Sequence, residues 1–422
     1  MQEVLGHFTQ ISQIPHCSFD TIKLKQFLEQ FAREAGFKVT SDKAGNIHCI
    51  KGEPKICLQA HYDMVCMGVA PKIELFEEDG FLKAKNSSLG ADNGIGLAMI
   101  LAAMREFKNL ECLLTNDEEV GLLGANAFEG KLCTNKLLNL DHEIDDEVVI
   151  GCAGGVDIQA ILPFTREKMR GKLYELEAVG FKGGHSGMDI INNVKSSIKE
   201  LAAFIFKNEG VIVEFEGGER INSIPKHAKA LVCFKNEPSQ SEHIKCKFIS
   251  EAEFLACAQS QNLLYTINAF SQGVRAFDKH LNIVQTSINL SLLKMKENTI
   301  QIELFARSNK LEGLRNLEFE TKTFFESFGF KISSSNFYAP WEGEENDFTE
   351  AVLEELKKEF KTAQILAVHA GLECGVLEKK QALKCASIGP NIFNPHSVDE
   401  RLDLASTAKI YKVVQALCAR FQ

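Results

Sequence analysis

Three short, mostly apolar segments of this chain each end in a cluster of polar side chains that includes acidic residues, and two of the clusters also contain histidine. Residues 56–60 run into His61-Tyr62-Asp63, residues 110–115 into Asn116-Asp117-Glu118-Glu119, and residues 136–140 into Asp141-His142-Glu143. Apolar runs of this length are typical of buried β-strands. In open α/β sheets, ligands gather at the carboxyl ends of the strands. The sequence therefore predicts an α/β sheet with a reactive centre at these strand ends.

The length of the chain predicts more than one domain. Its 422 residues exceed what one hydrophobic core usually organises, so we expect two. No apolar run approaches the roughly 20 residues needed to cross a bilayer, and we therefore expect no membrane partner. Residues 1–7 lack the basic patch and apolar stretch of a secretory signal, which favours a cytoplasmic location.

Charge and cysteine usage narrow the kind of site to expect. The net charge of −10 would repel phosphate backbones, so we expect no nucleic-acid partner. Thirteen cysteines are an odd count without a C-x-x-C pair, which favours reduced, mostly buried thiols over a disulfide framework or a zinc ribbon. A metal would need histidine and carboxylate ligands.

Hydrophobic periodicity outlines two domains. In the first, the pattern predicts helices over 18–36 and 94–107 and strands within 38–50, 56–60, 110–115 and 136–140. After the glycine-rich turn at 151–155, it predicts helices near 192–207, 242–260 and 312–328 and strands near 174–178, 228–235 and 299–306. A loop at 333–343 then leads to a helix over 347–360 and a strand over 363–368. We therefore predict a discontinuous catalytic domain of residues 1–154 and 337–422, and an α+β domain of residues 155–336 with an antiparallel sheet backed by helices.

The first candidate motif pairs His61 with Asp63. Two residues apart beyond a strand, their side chains can point the same way, and a carboxylate beside a metal-binding imidazole fixes its orientation. Taken alone, a His-x-Asp is more often a solvated loop pair. Asp92 lies among the glycines of residues 89–96, where it could bridge two cations or cap a helix. A phosphate loop is disfavoured, because no Lys-Ser/Thr follows these glycines.

Glu118 and Glu119 form the second kind of motif, a pair of adjacent acids. Successive side chains diverge at a strand end, so one acid can bind a metal while the other acts as general base. An exposed acidic turn is the alternative. Asp141 and His396 add a carboxylate and a second imidazole.

Two histidines and three carboxylates without a thiolate suit a pair of borderline cations such as zinc. The charge of two divalent ions would be nearly balanced by a hydroxide and by the carboxylates of Asp92, Glu119 and Asp141. A nearly neutral cluster costs less free energy to bury than an unpaired charge.

Two other enzyme classes fit the sequence poorly. The segment Gly184-His185-Ser186-Gly187 is similar to the Gly-x-Ser-x-Gly motif of serine hydrolases. That motif needs a second glycine at position 188, where this chain has Met188. A cysteine enzyme using Cys374 and His369 is an alternative, but free cysteines are numerous here and most are expected to be packing residues.

The motifs resemble those of the co-catalytic zinc peptidases that include carnosinases and bacterial aminoacyl-histidine dipeptidases. The similar segments are His61-Tyr62-Asp63-Met64-Val65, residues 89–96, residues 117–125, Gly183-Gly184-His185-Ser186-Gly187 and His369-Ala370-Gly371-Leu372-Glu373-Cys374-Gly375, in order along nearly the whole chain. The resemblance implies an α/β di-zinc peptidase with an inserted α+β lid domain. It also implies a homodimer.

The resemblance also implies roles for individual residues. His61 and Asp141 would hold one Zn²⁺, Glu119 and His396 the other, and Asp92 would bridge them, followed by a cis peptide bond. Co²⁺ or Mn²⁺ could replace zinc. Glu118 would be the general base on a zinc-activated water, Asp63 would orient His61, and His185 would reach the neighbouring subunit's site to stabilise the oxyanion. Asn222, Arg307 and Gly371 match substrate-binding positions.

The expected substrate is a dipeptide with a free amino terminus, of the Xaa-His type and broader. In the family that this chain resembles, Asp at the position of Asp141 accompanies peptidases acting beside a free amino group, whereas Glu accompanies carboxypeptidases and deacylases. Two alternatives stay open: an N-acyl amino-acid amidohydrolase, and a non-catalytic peptide-binding homologue that has lost its metals.

Overall fold

A computed structural model describes residues 1–279 and 283–422 of the chain. The chain divides into two compact units, each with its own hydrophobic core. The first unit comprises residues 1–152, 341–368 and 372–422, and the second comprises residues 153–340 and 369–371. The chain thus leaves the first unit, builds most of the second, and returns. Among the described residues, no helix combines the length and apolar character that a membrane-spanning segment requires.

The amino-terminal part of the first unit alternates strands with helices. Its elements are α1 (Gln2–Ser12), α2 (Ile22–Glu34), β1 (Lys38–Ser41), β2 (Ile47–Lys51), β3 (Cys57–His61), β4 (Leu75–Glu78), β5 (Phe81–Ala84), α3 (Ala91–Glu106), β6 (Leu110–Thr115), α4 (Leu123–Ala127), β7 (Lys136–Asn139) and β8 (Glu147–Cys152). The helices and strands expected from the periodicity of this region are confirmed.

The second unit consists mainly of long antiparallel strands. Its elements are β9 (Gly154–Pro163), β10 (Arg166–Ala178), β11 (Gly184–His185), a 3₁₀ turn (Ile190–Asn192), α5 (Ser197–Lys207), β12 (Val211–Gly217), β13 (Ser223–Ile224), β14 (Ala228–Phe234), β15 (Ile244–Cys257), α6 (Ser260–Ala269), β16 (Gly273–Asp278), β17 (Ile283–Lys296), β18 (Thr299–Ser308), α7 (Leu311–Ser327) and β19 (Lys331–Tyr338). Its main sheet runs β15-β10-β14-β12-β17-β18-β9-β19, with β16 paired to β17. The expected antiparallel sheet with helices is confirmed.

The helix expected over 242–260 is wrong. Residues 244–257 form strand β15, and α6 begins only at Ser260. Lys, Glu, Ala and Leu favour a helix locally, but β15 pairs with β10 from Ile244 opposite Ala178 to Cys257 opposite Arg166. This long pairing with a distant segment outweighs the local preference, because strand propensity depends on the neighbouring strand.

The chain then completes the first unit with α8 (Asp347–Glu359), β20 (Gln364–Val368), α9 (Cys374–Lys380), β21 (Lys384–Ser387), β22 (Ile392–Phe393), β23 (Arg401–Asp403) and α10 (Leu404–Arg420). Its large sheet has the order β1-β2-β6-β3-β7-β21-β8-β20, and a small sheet has the order β22-β23-β5-β4. Strands β6, β3 and β7 are neighbours and run parallel. Their carboxyl ends therefore meet at one edge, as the polar clusters of the sequence predict.

Both faces of the large sheet are covered, which explains why its strands are almost continuously apolar. Leu58, Leu114 and Leu138 belong to the core that includes the apolar residues of α3. The alternate residues Cys57 and Leu113 belong to a separate buried cluster. The mixed α/β fold class expected from the sequence is confirmed.

One cysteine pair departs from the expectation of reduced thiols. Cys17 and Cys66 form a disulfide, so the prediction is wrong for these two residues. The other cysteines are free thiols, and all of them are buried except Cys133 and Cys246. The pair could not be recognised from spacing, because 49 positions separate the two cysteines and only the fold brings them together.

Candidate metal centre

His61 ends strand β3 and is almost completely buried. Its Nε2 atom lies 3.2 Å from Asp92 Oδ1 and 3.3 Å from Asp141 Oδ1. Its Nδ1 atom lies 3.0 Å from the carbonyl oxygen of Asp63. If Nδ1 donates its proton to that carbonyl, Nε2 is the nitrogen left to face the two carboxylates, which is the tautomer a metal ligand needs.

Asp92 lies in the first turn of α3, beyond Gly90, whose φ is 71°. The peptide bond between Asp92 and Asn93 is cis, as the resemblance implies. Asn93 donates to the carbonyl of Leu140 at 2.6 Å. A Cβ at Gly96 would lie only 2.6 Å from that same carbonyl oxygen, so only glycine permits α3 to approach β7 this closely. This approach brings Asp92 beside Asp141, the residue after Leu140.

His396 faces Asp92 from the other side. It lies between β22 and β23, and its Nε2 atom is 2.9 Å from Asp92 Oδ2 and 2.9 Å from Glu119 Oε1. The two oxygens of Asp92 thus point at two different imidazoles, Oδ1 at His61 and Oδ2 at His396. This is the geometry expected of a carboxylate that bridges two cations.

The side chains form two groups whose ligand atoms all lie within 4.8 Å of one another, namely His61 with Asp92 and Asp141, and Asp92 with Glu119 and His396. These groups contain the five side chains, in the same pairing, for which the family resemblance implies a ligand role; that role stays a prediction. Asp141 Oδ1 and Glu119 Oε1 are buried and accept no hydrogen bond, although an imidazole nitrogen lies close to each. Buried anionic oxygens without donors are costly unless a cation neutralises them. The donor set and its geometry therefore fit two divalent metal ions.

Asp63 holds the acidic pair in position. Its Oδ1 atom accepts the backbone N–H of Glu118 at 3.0 Å, and its Oδ2 atom accepts that of Glu119 at 3.4 Å. Ser18 donates its hydroxyl to Oδ2 at 2.8 Å. Asp63 Oδ1 also lies 3.4 Å from His61 Nδ1. One buried carboxylate thus connects the β3 and β6 ends of the site.

Glu118 also forms a group with His61 and Glu119. Burial raises the pKa of Glu118 well above its usual range; the positive charge of His61 lowers it, while Glu119 and Asp141 raise it further. A carboxyl group whose pKa is raised in this way is a better proton acceptor than an ordinary surface glutamate. Burial likewise raises the pKa of Asp141 to about 7.

The remaining site residues predicted from the sequence lie close to one another in the second unit. His185 pairs with Ser223 on the short strands β11 and β13, next to Asn222, whose carbonyl accepts the N–H of Ser186. Arg307 Nη2 lies 3.4 Å from His185 Nε2, and Arg307 Nη1 donates to the Tyr338 hydroxyl at 3.4 Å. A Cβ on Gly371 would lie 3.3 Å from that hydroxyl oxygen. His185, Asn222, Arg307 and Gly371 thus form one neighbourhood, and their roles stay predictions.

The cysteine alternative loses support. Cys374 is fully buried, and burial together with Cys385 raises the pKa of its thiol well above the usual range, which disfavours the thiolate that a nucleophile needs. His369 Nε2 is 2.8 Å from the Ser287 hydroxyl, and its Nδ1 is 2.8 Å from Asn309 Oδ1. Both ring nitrogens therefore already have partners.

Several residues of the site were missed from the sequence. Ser18 contacts Asp63, Glu400 contacts the loop before Asp92, and Glu373 accepts from Gln59 and Thr115. Burial, together with the charge of Asp92, raises the pKa of Glu143 to about 8. Ser18 and Glu400 stand in no motif that signals a role, because each acts on a segment far away in the chain. Glu143 and Glu373 lie within segments that the sequence singles out, but no role was assigned to them there.

The chain matches one family model and is similar to several known proteins. The model of the family described as Peptidase family M20/M25/M40 matches residues 57–420. A cytosol non-specific dipeptidase from Escherichia coli strain K12 is 30% identical over 463 aligned positions, which cover 97% of this chain and 96% of that protein. The crystal structure of an aminoacylhistidine dipeptidase from Vibrio alginolyticus has a TM-score of 0.78 at 27% identity, covering 100% of this chain and 96% of the other. The aminopeptidase PepT from Bacillus cereus, at 17% identity and a TM-score of 0.61, covers 99% of this chain and 97% of its own and is similar in fold alone.

Proposed function

Because this chain belongs to the peptidase family M20/M25/M40, we propose that it is a metal-dependent dipeptidase. Its substrates are dipeptides with a free amino terminus, Xaa-His dipeptides among them. The observation that carries the proposal is the Asp92 carboxylate, whose two oxygens face His61 and His396 at 3.2 and 2.9 Å. The dipeptidases from Escherichia coli and Vibrio alginolyticus support the substrate class.

His61, Asp92 and Asp141 are the proposed ligands of one cation, and Asp92, Glu119 and His396 those of the other. Nitrogen and carboxylate donors without sulfur favour zinc, with cobalt or manganese as substitutes. Two such ions polarise a peptide carbonyl and lower the pKa of a water molecule when they are bound.

The chain's own residues then divide the remaining work. Glu118 accepts a proton from the attacking water and returns it to the leaving amine. Asp63 holds the backbone of Glu118 and orients His61. His185 stabilises the oxyanion, a role that typically contributes about 3–4 kcal/mol in other hydrolases, and Asn222, Arg307 and Gly371 bind the substrate.

We further propose a cytoplasmic homodimer, in which the second unit serves as lid and dimerisation domain and His185 reaches the site of the neighbouring subunit. The location is supported by the relative described as a cytosol dipeptidase. The dimer rests on the family resemblance of the residues around His185.

A substrate panel tests the reaction. The purified protein, supplied with Zn²⁺, is expected to hydrolyse Xaa-His and other dipeptides and to leave acetylated amino acids intact. Removal of metal with a chelator should abolish turnover, and added Zn²⁺, Co²⁺ or Mn²⁺ should restore it. Preference for acetylated amino acids would instead favour an N-acyl amino-acid amidohydrolase, and metal-free protein that binds dipeptides without cleaving them would favour a peptide-binding homologue.

A metal count tests the ligand assignment. Elemental analysis is expected to find two metal ions per chain in the parent protein and fewer in Asp92→Ala and Asp141→Ala. Both substitutions remove a carboxylate oxygen that lies within 3.3 Å of His61 Nε2. Two ions per chain in both variants would refute the proposed site.

A further inference from the structure

Glu400 accepts hydrogen bonds from three backbone N–H groups in the segment that precedes Asp92. Its Oε2 atom accepts from Leu89 at 2.8 Å and from Gly90 at 3.1 Å, and its Oε1 atom accepts from Ala91 at 2.8 Å. Glu400 itself is 3% exposed. Hydrogen bonds to a carboxylate are about twice as strong as those between neutral groups, and burial shields these from water.

The three donors need this partner because of their place in the chain. Leu89 and Gly90 precede α3 and Ala91 is its first residue, so none of the three N–H groups has an acceptor within that helix. Gly90, which precedes the helix with a φ of 71°, supplies no side-chain cap. Glu400 therefore takes the part of a capping group that the local sequence lacks.

Glu400 also belongs to the segment that supplies the second histidine. It lies between β22 and β23, four positions after His396, and its N–H donates to the carbonyl of Ser397 at 3.4 Å. The same carboxylate thus connects the segment that carries His396 to the loop that carries Asp92. These two ligands face each other with 2.9 Å between His396 Nε2 and Asp92 Oδ2.

Glu400 does not contribute to the ligand groups found among the described residues. Both of its oxygens are engaged by backbone N–H groups, which leaves it suited to hold a neighbour rather than to bind a cation.

We propose that Glu400 is the positioning residue of the metal pair, because its hydrogen bonds to residues 89–91 fix Asp92 between the two histidines. This inference rests on the proposed metal site and deepens it. Since Asp92 belongs to both ligand groups, loosening its loop is expected to weaken the binding of both cations. Residues that hold metal ligands in place typically contribute 10–100-fold to metal affinity.

The test is Glu400→Gln, which keeps the size of the side chain but replaces one accepting oxygen with an amide NH₂ that cannot accept. We expect the dissociation constants for Zn²⁺, measured by competition with a chromophoric chelator, to rise on the order of 10–100-fold. The zinc concentration that gives half-maximal dipeptidase activity should rise by a similar factor. The KM for dipeptide, measured at saturating zinc, should change little, since Glu400 is not proposed to contact substrate.

Glu111→Gln is the matched control. Glu111 is also a fully buried carboxylate that accepts two backbone N–H groups, from Cys133 at 2.7 Å and Thr134 at 3.0 Å. It lies near the start of β6, at the end of the strand opposite Thr115 and the site. Its loss should lower stability while leaving zinc affinity unchanged.

The outcomes separate this inference from the proposed function. If the parent chain binds no zinc, the metal site itself is wrong. If the parent binds two ions and Glu400→Gln binds them equally well, or if Glu111→Gln weakens them equally, only the role of Glu400 is overturned. Should Glu400→Gln fail to fold, Glu400→Asp keeps the charge but shortens its reach, and an unchanged zinc affinity in that variant would likewise overturn the proposal.

Discussion

At the residue scale, the protonation of the site is governed by carboxylates and imidazoles held close together. Burial alone would lower the pKa of His396, but Asp92 and Glu119 raise it to about 12. His61 behaves in the same way, since burial lowers its pKa and Asp141, Asp63 and Asp92 raise it well above the usual range. Without metal, protons on the imidazoles therefore balance the carboxylates. A cation must displace them, so metal affinity should weaken as the pH falls.

Glu118 gives the sharpest test of a single residue. Glu118→Ala is expected to retain two metal ions per chain, because the five proposed ligands stay in place, and to lose kcat by about 10²–10⁴-fold, as for a removed acid-base group. Elemental analysis and steady-state kinetics measure the two effects. Glu119→Ala is the matched comparison, since removal of a proposed ligand should lower the metal content as well. Near-parental turnover of metal-loaded Glu118→Ala would refute the general-base assignment.

His369 predicts a pH dependence of stability. Burial, aided by the charge of Arg307, lowers the pKa of His369 to about 3, whereas an unfolded histidine titrates near 6.5. Below about pH 6.5 the unfolded chain therefore binds a proton at His369 that the folded chain does not bind. The contribution of His369 to the free energy of unfolding is thus fully present above about pH 6.5 and is lost as the pH falls toward about 3. The limiting slope is about 1.4 kcal/mol per pH unit.

Comparing the parent with His369→Gln isolates this contribution. The difference between their free energies of unfolding, measured in denaturant from about pH 7 to about pH 5, should shift in favour of the variant as the pH falls. A difference that does not change over this interval would contradict a neutral His369.

The residues that could be predicted are those whose side chains stand at strand ends or among glycines. His61 and Asp141 directly follow apolar segments, and Glu118 belongs to the polar cluster that follows residues 110–115, so a local pattern marks all three. Glu400 and Ser18 carry no such mark, because each acts through a contact with a segment more than 40 positions away. His396 follows no such strand end, so the sequence offers it only as a second imidazole, and its place on one of the two cations comes from the family resemblance.

At the element scale, prediction succeeded where local and tertiary preferences agree. The buried segments that form β3 and β6 have the length and composition typical of strands. The apolar segment that forms α3 has those typical of a buried helix. Strand β15 was missed because its pairing with β10 is a property of the whole second unit. The Cys17–Cys66 disulfide of the first unit was missed because only the fold brings its two cysteines together.

The Cys17–Cys66 disulfide braces the segment before α2 against the loop after β3. The N–H of Met64 donates to the carbonyl of His16 at 3.1 Å, and the N–H of Ser18 donates to the carbonyl of Met64 at 3.2 Å. Breaking a link across 49 positions frees the unfolded chain, so Cys17→Ser should lower the free energy of unfolding by about 2–4 kcal/mol.

Reductant and a second variant provide the controls for this prediction. Dithiothreitol should lower the Tm of the parent to that of Cys17→Ser and leave the variant unchanged, because both treatments remove the same bond. Cys133→Ser, at an exposed free cysteine, should have little effect. If reductant leaves the Tm of the parent unchanged, the disulfide contributes nothing to its stability in solution.

At the scale of the whole molecule, the proposed catalytic residues are split between the two units. The ligands and Glu118 belong to the first unit, whereas His185 and Arg307 belong to the second. A role for His185 in catalysis requires that either its own chain or a neighbouring subunit bring it to the substrate. The family resemblance favours the neighbouring subunit.

A mixed dimer distinguishes the two routes. His185→Ala and Glu118→Ala are each expected to be nearly inactive. If His185 acts on the partner's site, a heterodimer of the two variants contains one site with both residues intact and one site with neither. Equal mixing gives about half heterodimers, so unfolding and refolding the variants together should restore roughly a quarter of the parental activity. Each variant refolded alone is the control and should stay inactive. Size-exclusion chromatography with differently tagged chains would verify that the heterodimer forms. An inactive heterodimer would mean that His185 acts within its own chain or not at all.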